Sequence, residues 1–189
     1  MRVIAGKLKG STLHMLKDKN TRPLKDLARE SIFNLLMHSN KILLQLKQAN
    51  VLDLYAGTGS FGLECLSRQA ECVYFAENQK YVFEILEKNI EKLKIKNKTK
   101  IFFCDVFHFI EKQNILVSKF DLIFCDPPFK NTNMQKLIEL IFNRNFLSKD
   151  GIIILHRHNA NKEKLPNYFE TINERIYGIS KIIFGRLLS

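Results

Sequence analysis

No stretch of this 189-residue sequence approaches the ~20 consecutive apolar residues that a membrane-spanning helix needs. The opening Met1-Arg2-Val3-Ile4-Ala5-Gly6-Lys7 has no apolar core of the kind a secretory leader carries. Cysteine is sparse, and no two of Cys65, Cys72, Cys104 and Cys125 are spaced as Cys-x-x-Cys. That spacing weakens a metal or redox-motif reading and favours reduced, buried thiols. Acids are also short: 19 Asp and Glu stand against 30 Lys and Arg, for a net charge of +11. A cytoplasmic monomer with no membrane contact and no metal is therefore expected, with a polyanion as partner.

What is present is enough for one core, since 46% of the residues are hydrophobic. The positive charge is unevenly spread. Residues 1–29 carry Arg2, Lys7, Lys9, Lys17, Lys19, Arg22, Lys25 and Arg29 against Asp18 and Asp26, a net +6. A second basic run, Lys88 to Lys100, reads as the solvated face of a helix and its exit. Lys far outnumbers Arg, a bias that an AT-rich genome alone would produce, so position carries more weight than the total.

Two β-like pieces, Arg2–Ala5 and Ser11–Met15, are expected to pair as a hairpin across Gly6 and Gly10. Thr21-Arg22-Pro23 follows, with Pro23 suited to a first helical turn. Leu27, Ala28, Ile32, Phe33, Leu35 and Leu36 then recur at helical spacing. From residue 50 strands and helices alternate. Strands are expected at Val51–Tyr55, Cys72–Ala76, Lys100–Cys104, Phe120–Cys125 and Gly151–His156, with helices between them. Tyr168–Tyr177 and Ile179–Leu187 read as two last strands around Gly178, antiparallel to each other. Near-continuous apolar strands alternating with helices imply an α/β fold, a mostly parallel sheet covered on both faces. Residues 1–45 read as a basic extension and 46–189 as the main domain.

The first strand runs into Asp53-Leu54-Tyr55-Ala56-Gly57-Thr58-Gly59-Ser60-Phe61-Gly62. Gly57, Gly59 and Gly62 form G-x-G-x-x-G, and Glu77 follows about 20 residues after Gly57, which alone also fits a dinucleotide fingerprint. Asp53 argues against a dinucleotide. A carboxylate there would repel a pyrophosphate by several kcal/mol, to order of magnitude, if poorly solvated. It suits S-adenosylmethionine, which has no phosphate and carries two positive groups. Tyr55, Ala56, Gly57 and Gly59 would shape the turn around that cofactor. Glu77 would accept from the ribose hydroxyls. Asp105, before Val106, would accept from the adenine amine, and it also fits as a helix N-cap.

The fourth strand ends Asp126-Pro127-Pro128-Phe129. Ligands bind outside the carboxyl ends of strands in such sheets, so this corner should share the crevice with the glycine turn. An exocyclic amine of a base is a weak nucleophile, because its lone pair is delocalised into the ring. Asp126 and the Pro127 carbonyl can accept its two N–H bonds, Pro128 stiffens the turn, and Phe129 offers a face for stacking. A plain Asp-Pro turn is the structural alternative.

These motifs together resemble the bacterial 16S ribosomal RNA guanine-N2 methyltransferases. The likeness runs through Arg2-Val3-Ile4-Ala5-Gly6, Thr21-Arg22-Pro23, Ala28 to Leu36, Leu52 to Gly59, Gly62-Leu63-Glu64, Leu66-Ser67-Arg68 and Asp126 to Phe129. It implies a Rossmann-like class I methyltransferase fold of seven strands and S-adenosylmethionine as cofactor. It implies methylation of a guanine in 16S rRNA, free or within the 30S subunit. The extension would then bind RNA, with Arg2, Lys7, Lys9, Arg22 and Arg29 as contacts. Two departures stand out: Leu24 where the family has a small polar residue, and His156-Arg157-His158 where it often has an acid. The two histidines are expected as solvent-exposed loop residues. A DNA adenine-N6 methyltransferase, a non-catalytic cofactor- or RNA-binding protein and a nicotinamide dehydrogenase are the competing readings. The last lacks the chain length for a second substrate domain.

Overall fold

The computed structural model describes residues 1–16, 26–42, 44–112, 119–129 and 133–188. Helix α1 is Asp26–His38, followed by β1 Asn50–Leu54, α2 Ser60–Ser67, β2 Cys72–Glu77 and α3 Lys80–Leu93. Next come β3 Thr99–Phe103, α4 Val106–Lys112, β4 Phe120–Cys125 and α5 Met134–Asn143. The chain closes with β5 Leu147–His158, β6 Phe169–Tyr177 and β7 Ser180–Leu187. The strands form one seven-stranded sheet in the order β3-β2-β1-β4-β5-β7-β6. The first five are parallel, whereas β7 runs antiparallel to both β5 and β6. This is the mostly parallel α/β sheet that the strand and helix alternation implied, with the seven strands that the family resemblance implied.

Strand periodicity decides which helices cover which face. Val51 and Phe124 look toward α1, α2 and α3, where they meet Phe33, Phe61, Leu63, Leu86 and Ile90. Leu52, Leu54 and Ile123 look toward α4 and α5, with Phe109, Ile110, Leu137 and Ile141. Phe61 stacks between Phe33 and Phe124, with centroids 5.2 and 3.9 Å away. Each such ring contributes about 1.5–3 kcal/mol by leaving water.

The structure departs from the sequence reading in three places. β5 begins at Leu147 rather than Gly151 and runs to His158, because Leu147 pairs with Phe120 across a register shift. The N-terminal pieces meet as a hairpin held by a single antiparallel bridge, Arg2 to Thr12, rather than by two full strands. Leu27, at an apolar helical spacing, points into solvent at 70% exposure. Val3, Leu13, Ile32, Leu36 and Ile42 all enter the same core as Val51 and Phe124, so residues 1–16 and 26–42 are packed onto the sheet layer. Among the described residues no helix is long and apolar enough to cross a membrane.

Candidate functional site

Strand order reverses between β1 and β4, with β2 and β3 on one side and β5 on the other. A crevice opens at such a switch point. Leu54 pairs with Cys125 there, and the Asp126 amide donates to the Leu54 carbonyl at 3.4 Å. The glycine turn and the Asp-Pro-Pro-Phe corner are therefore adjacent, about one strand spacing (~4.8 Å) apart at their roots.

The β1 side is assembled by hydrogen bonds to the main chain. Tyr55, Gly57 and Gly59 adopt left-handed φ values of 61°, 58° and 84°. At Gly57 a Cβ would meet nothing within 4 Å, so the turn leaves free volume above the strand end. Gly62 serves packing: a Cβ there would come within 2.3 Å of the Phe75 ring, so only glycine lets α2 lie this close to β2. The Ala56 amide donates to Ala76 at 3.0 Å and the Gly59 amide to Ala56 at 2.9 Å, closing the turn. Glu77 accepts from the Gly57 amide at 2.9 Å through Oε2, and from the Asn78 and Gln79 amides at 2.9 and 2.8 Å through Oε1. Asp105 caps α4, its Oδ1 accepting from the Phe107 amide at 2.8 Å, while its side chain stays exposed beside buried Val106.

Asp53 lies beneath the turn, 1% exposed, with Oδ2 accepting from the Gly62 amide at 3.0 Å. Burial pushes its carboxyl well above the usual range, and the nearby Asp126 and Glu77 push the same way. The group thus ties α2 to β1 and holds a latent negative charge that a cation above it would draw out.

The β4 side is built differently. Asp126 keeps 25% of its side chain exposed, Pro127 is buried, Pro128 is exposed and Phe129 is half-buried. The expectation for His156 is overturned. It is the tenth residue of β5, 3% exposed, and its Nδ1 lies 2.7 Å from Asp126 Oδ1 while Nε2 lies 2.9 Å from Ser180 Oγ. Strand alternation sets this side chain on the same face as Ile152 and Ile154, one strand from the corner. Alternation extended past Leu155, read together with the neighbouring Asp126, was the signal available. His158 is half-buried, and the Phe129 ring stands perpendicular to both imidazoles, with centroids 5.4 and 5.2 Å away. Among the described residues no three metal-ligating side chains gather.

The extension packs against the β1 side. Glu64 of α2 is fully buried and accepts from the Ile4 and Ala5 amides at 2.7 and 2.9 Å and from Arg68 Nε at 2.8 Å. Ser67 accepts from the Leu8 amide at 2.9 Å. Asn89 of α3 bridges the backbone of His14 to the Thr58 carbonyl in the glycine turn. Arg2, Lys7 and Lys9 are exposed on this hairpin. Arg29 does not join them. It is 0% exposed, and its Nη2 donates to the Arg2 carbonyl at 2.7 Å and to Asp26 at 3.0 Å. An arginine sealed in the α1 interface has no reach to a phosphate, so it is a clasp for the hairpin rather than an RNA contact. Arg22, with Thr21, Pro23 and Leu24, lies outside the described residues.

Comparison with known proteins agrees with this architecture. The chain is 32% identical over 180 residues to ribosomal RNA small subunit methyltransferase D of Haemophilus influenzae, covering 95% of this chain and 90% of that one. It is 32% identical over 160 residues to the protein of the same name from Buchnera aphidicola, covering 85% and 77%. The solved structure of the Escherichia coli protein yhhF superposes with a TM-score of 0.84 at 25% identity, covering 100% of this chain and 98% of that one. The model of the family described as conserved hypothetical protein 95 matches residues 1–186, and the chain belongs to that family.

Proposed function

We propose that this protein transfers a methyl group from S-adenosylmethionine to the exocyclic N2 of a guanine in small-subunit ribosomal RNA. One observation carries the reading: the glycine turn and the Asp126 corner spring from paired residues of neighbouring strands, Leu54 and Cys125. A donor seated on the first is within reach of an amine held at the second. The relatives named as small-subunit ribosomal RNA methyltransferases support the choice of substrate.

The residues present fit the cofactor. It supplies a methyl group bound to a positively charged sulfur. The free volume over Gly57 admits a ligand close to the backbone. Glu77, and Asp53 once its proton is displaced, give that pocket the negative character that suits the cofactor's ammonium and sulfonium. Glu77 uses three acceptor positions on backbone amides, which leaves capacity for a ribose hydroxyl. Asp105 commits Oδ1 to its helix cap and keeps Oδ2 for the adenine amine, beside the apolar Val106. Tyr55, Ala56 and Gly59 fix the turn.

At the corner, Asp126 and the Pro127 carbonyl accept the two N–H bonds of the target amine. This turns its nitrogen toward the methyl, and alignment of this kind is worth ~7–11 kcal/mol. Phe129 is the stacking surface for the base, worth ~1–3 kcal/mol. Arg2, Lys7 and Lys9, on a hairpin seated beside the glycine turn, meet the phosphate backbone, and Arg22 is assigned with them on charge alone.

Mass spectrometry of 16S rRNA, free and within 30S particles, incubated with the protein and labelled cofactor, tests the reading. One labelled N2-methylguanosine is the expected product. Label on adenine N6 of duplex DNA, or no transfer to either nucleic acid, would overturn it.

A further inference from the structure

The reading above gives His156 no part, yet this is the most fully engaged titratable side chain at the crevice. Its ring is sealed among Asp126 from the end of β4, Ser180 from the start of β7 and Phe129 from the corner. His158 stands on the far side of that phenylalanine. Both ring nitrogens lie at hydrogen-bond distance from a polar oxygen. A hydroxyl can donate or accept, whereas an ionised carboxylate only accepts. One tautomer therefore satisfies the whole chain: Nδ1–H donates to Asp126 Oδ1, and the Ser180 hydroxyl donates to Nε2. The reverse tautomer would require Asp126 to carry a proton, and a protonated carboxyl makes a poorer acceptor for an amine.

We infer that His156 is a positioning residue for Asp126, holding Oδ1 so that Oδ2 faces the target amine as a fixed, ionised acceptor. Two features of the site make such a device necessary. First, no backbone amide among the described residues donates to the Asp126 carboxylate, whereas Asp53 accepts from one, Asp105 from two and Glu77 from three. Without the imidazole this side chain would rotate freely in its partly exposed position. Second, Asp126 shares the crevice with Asp53 and Glu77, and like charges favour protonation of one of them. A donor aimed at Asp126 holds its carboxylate in place beside those neighbouring acids. As the amine nitrogen forms its bond to the methyl carbon, that carbon's bond to the donor sulfur breaks with the electron pair staying on sulfur, and the nitrogen gives up one N–H proton, which passes to Oδ2 of Asp126. The proton on Nδ1 of His156 stays in place throughout, so the imidazole orients the acceptor and is not itself consumed.

The inference rests on Asp126 being the amine's acceptor, and the experiment separates the two claims. Four variants are compared with the parent in single-turnover methyl transfer to rRNA: His156→Phe, His156→Asn, Asp126→Ala and the His156→Phe/Asp126→Ala double variant. Melting temperature and S-adenosylmethionine affinity are measured alongside. His156→Phe is expected to lower the transfer rate about 100-fold, with cofactor affinity and melting temperature close to the parent's. His156→Asn, whose amide N–H can reach toward Asp126 from the position of Nδ1, should recover much of that loss. In the Asp126→Ala background His156→Phe should add no further loss, because both changes act through one group. Parent-like transfer by His156→Phe, or the same fold-loss with and without Asp126, would overturn the inference. If Asp126→Ala alone transfers methyl as the parent does, the reading of the corner fails instead. The ¹⁵N resonances of the imidazole in the unmutated protein give an answer that needs no variant to fold. Protonation at Nδ1 is expected, and protonation at Nε2 alone would sink the proposal.

Discussion

The two sides of the crevice are built by different means. On the β1 side every acid is tied to main-chain amides: Asp53 to Gly62, Glu77 to Gly57, Asn78 and Gln79, Asp105 to Phe107. On the β4 side Asp126 is held by another side chain, His156, which is held in turn by Ser180. The first is a mould cast in backbone, shaped before any ligand arrives. The second is a short relay across three strands, β4, β5 and β7, with part of its acceptor exposed. Binding of a common cofactor suits the rigid side, and catalysis on a particular amine suits the side whose groups point outward.

Substitutions can break or sharpen this contrast. The largest effect is expected from Asp126→Ala, which should reduce methyl transfer by on the order of 10²–10³ while calorimetry shows cofactor affinity unchanged. A matched loss of affinity would erase the distinction between the sides. Glu77→Ala should do the converse, weakening cofactor binding and costing about 1–3 kcal/mol of stability by freeing amides of the turn. Denaturant melts and calorimetry check both halves of that claim.

Asp53→Asn tests the charge stored under the mould. The folded protein raises this carboxyl above its ordinary value of 3.8 and so binds its proton more tightly than the unfolded chain. The resulting stability is fully present below that value and is lost as pH rises through the folded-state value. Asparagine keeps the oxygen that accepts from Gly62 and removes the titration. The variant should therefore be less sensitive to pH, gaining on the parent between acid and neutral melts. It should also bind the cationic cofactor more weakly. In the parent, cofactor affinity should rise with pH as the proton is displaced. The smallest effect belongs to the hairpin: Lys7→Ala and Lys9→Ala should each lower the slope of log affinity for RNA against log salt by about 1, leaving turnover at saturating RNA unchanged.

The contrast also explains what could be read from the sequence. The β1 side is local. Strand, glycine turn and helix follow one another within residues 50–67, so their order on the chain is their order in space. The Asp105 cap is equally local and equally visible. The β4 side depends on pairings between distant segments, His156 with Asp126 and Ser180 with His158, which periodicity cannot supply. His156 read as loop because β5 runs three residues past its apolar stretch, and those three residues are His156, Arg157 and His158. Arg29 failed for a related reason. Charge predicts exposure on average, but a guanidinium can be buried where a carbonyl and a carboxylate meet it, as the Arg2 carbonyl and Asp26 do here. Gly62-Leu63-Glu64, which reads as a family signature, resolves into close helix packing by the glycine and a carboxylate that grips the hairpin.

That grip falls mostly on backbone atoms. Glu64 holds the amides of Ile4 and Ala5, Ser67 that of Leu8, Asn89 both polar atoms of His14, and Arg29 the carbonyl of Arg2. On the proposed function, mooring and RNA contact are thereby divided between main chain and side chain. Most outward residues of the hairpin can be exchanged for others without loosening its seat, which leaves its surface chemistry open to tuning against a different nucleic-acid contour while the crevice behind it stays the same.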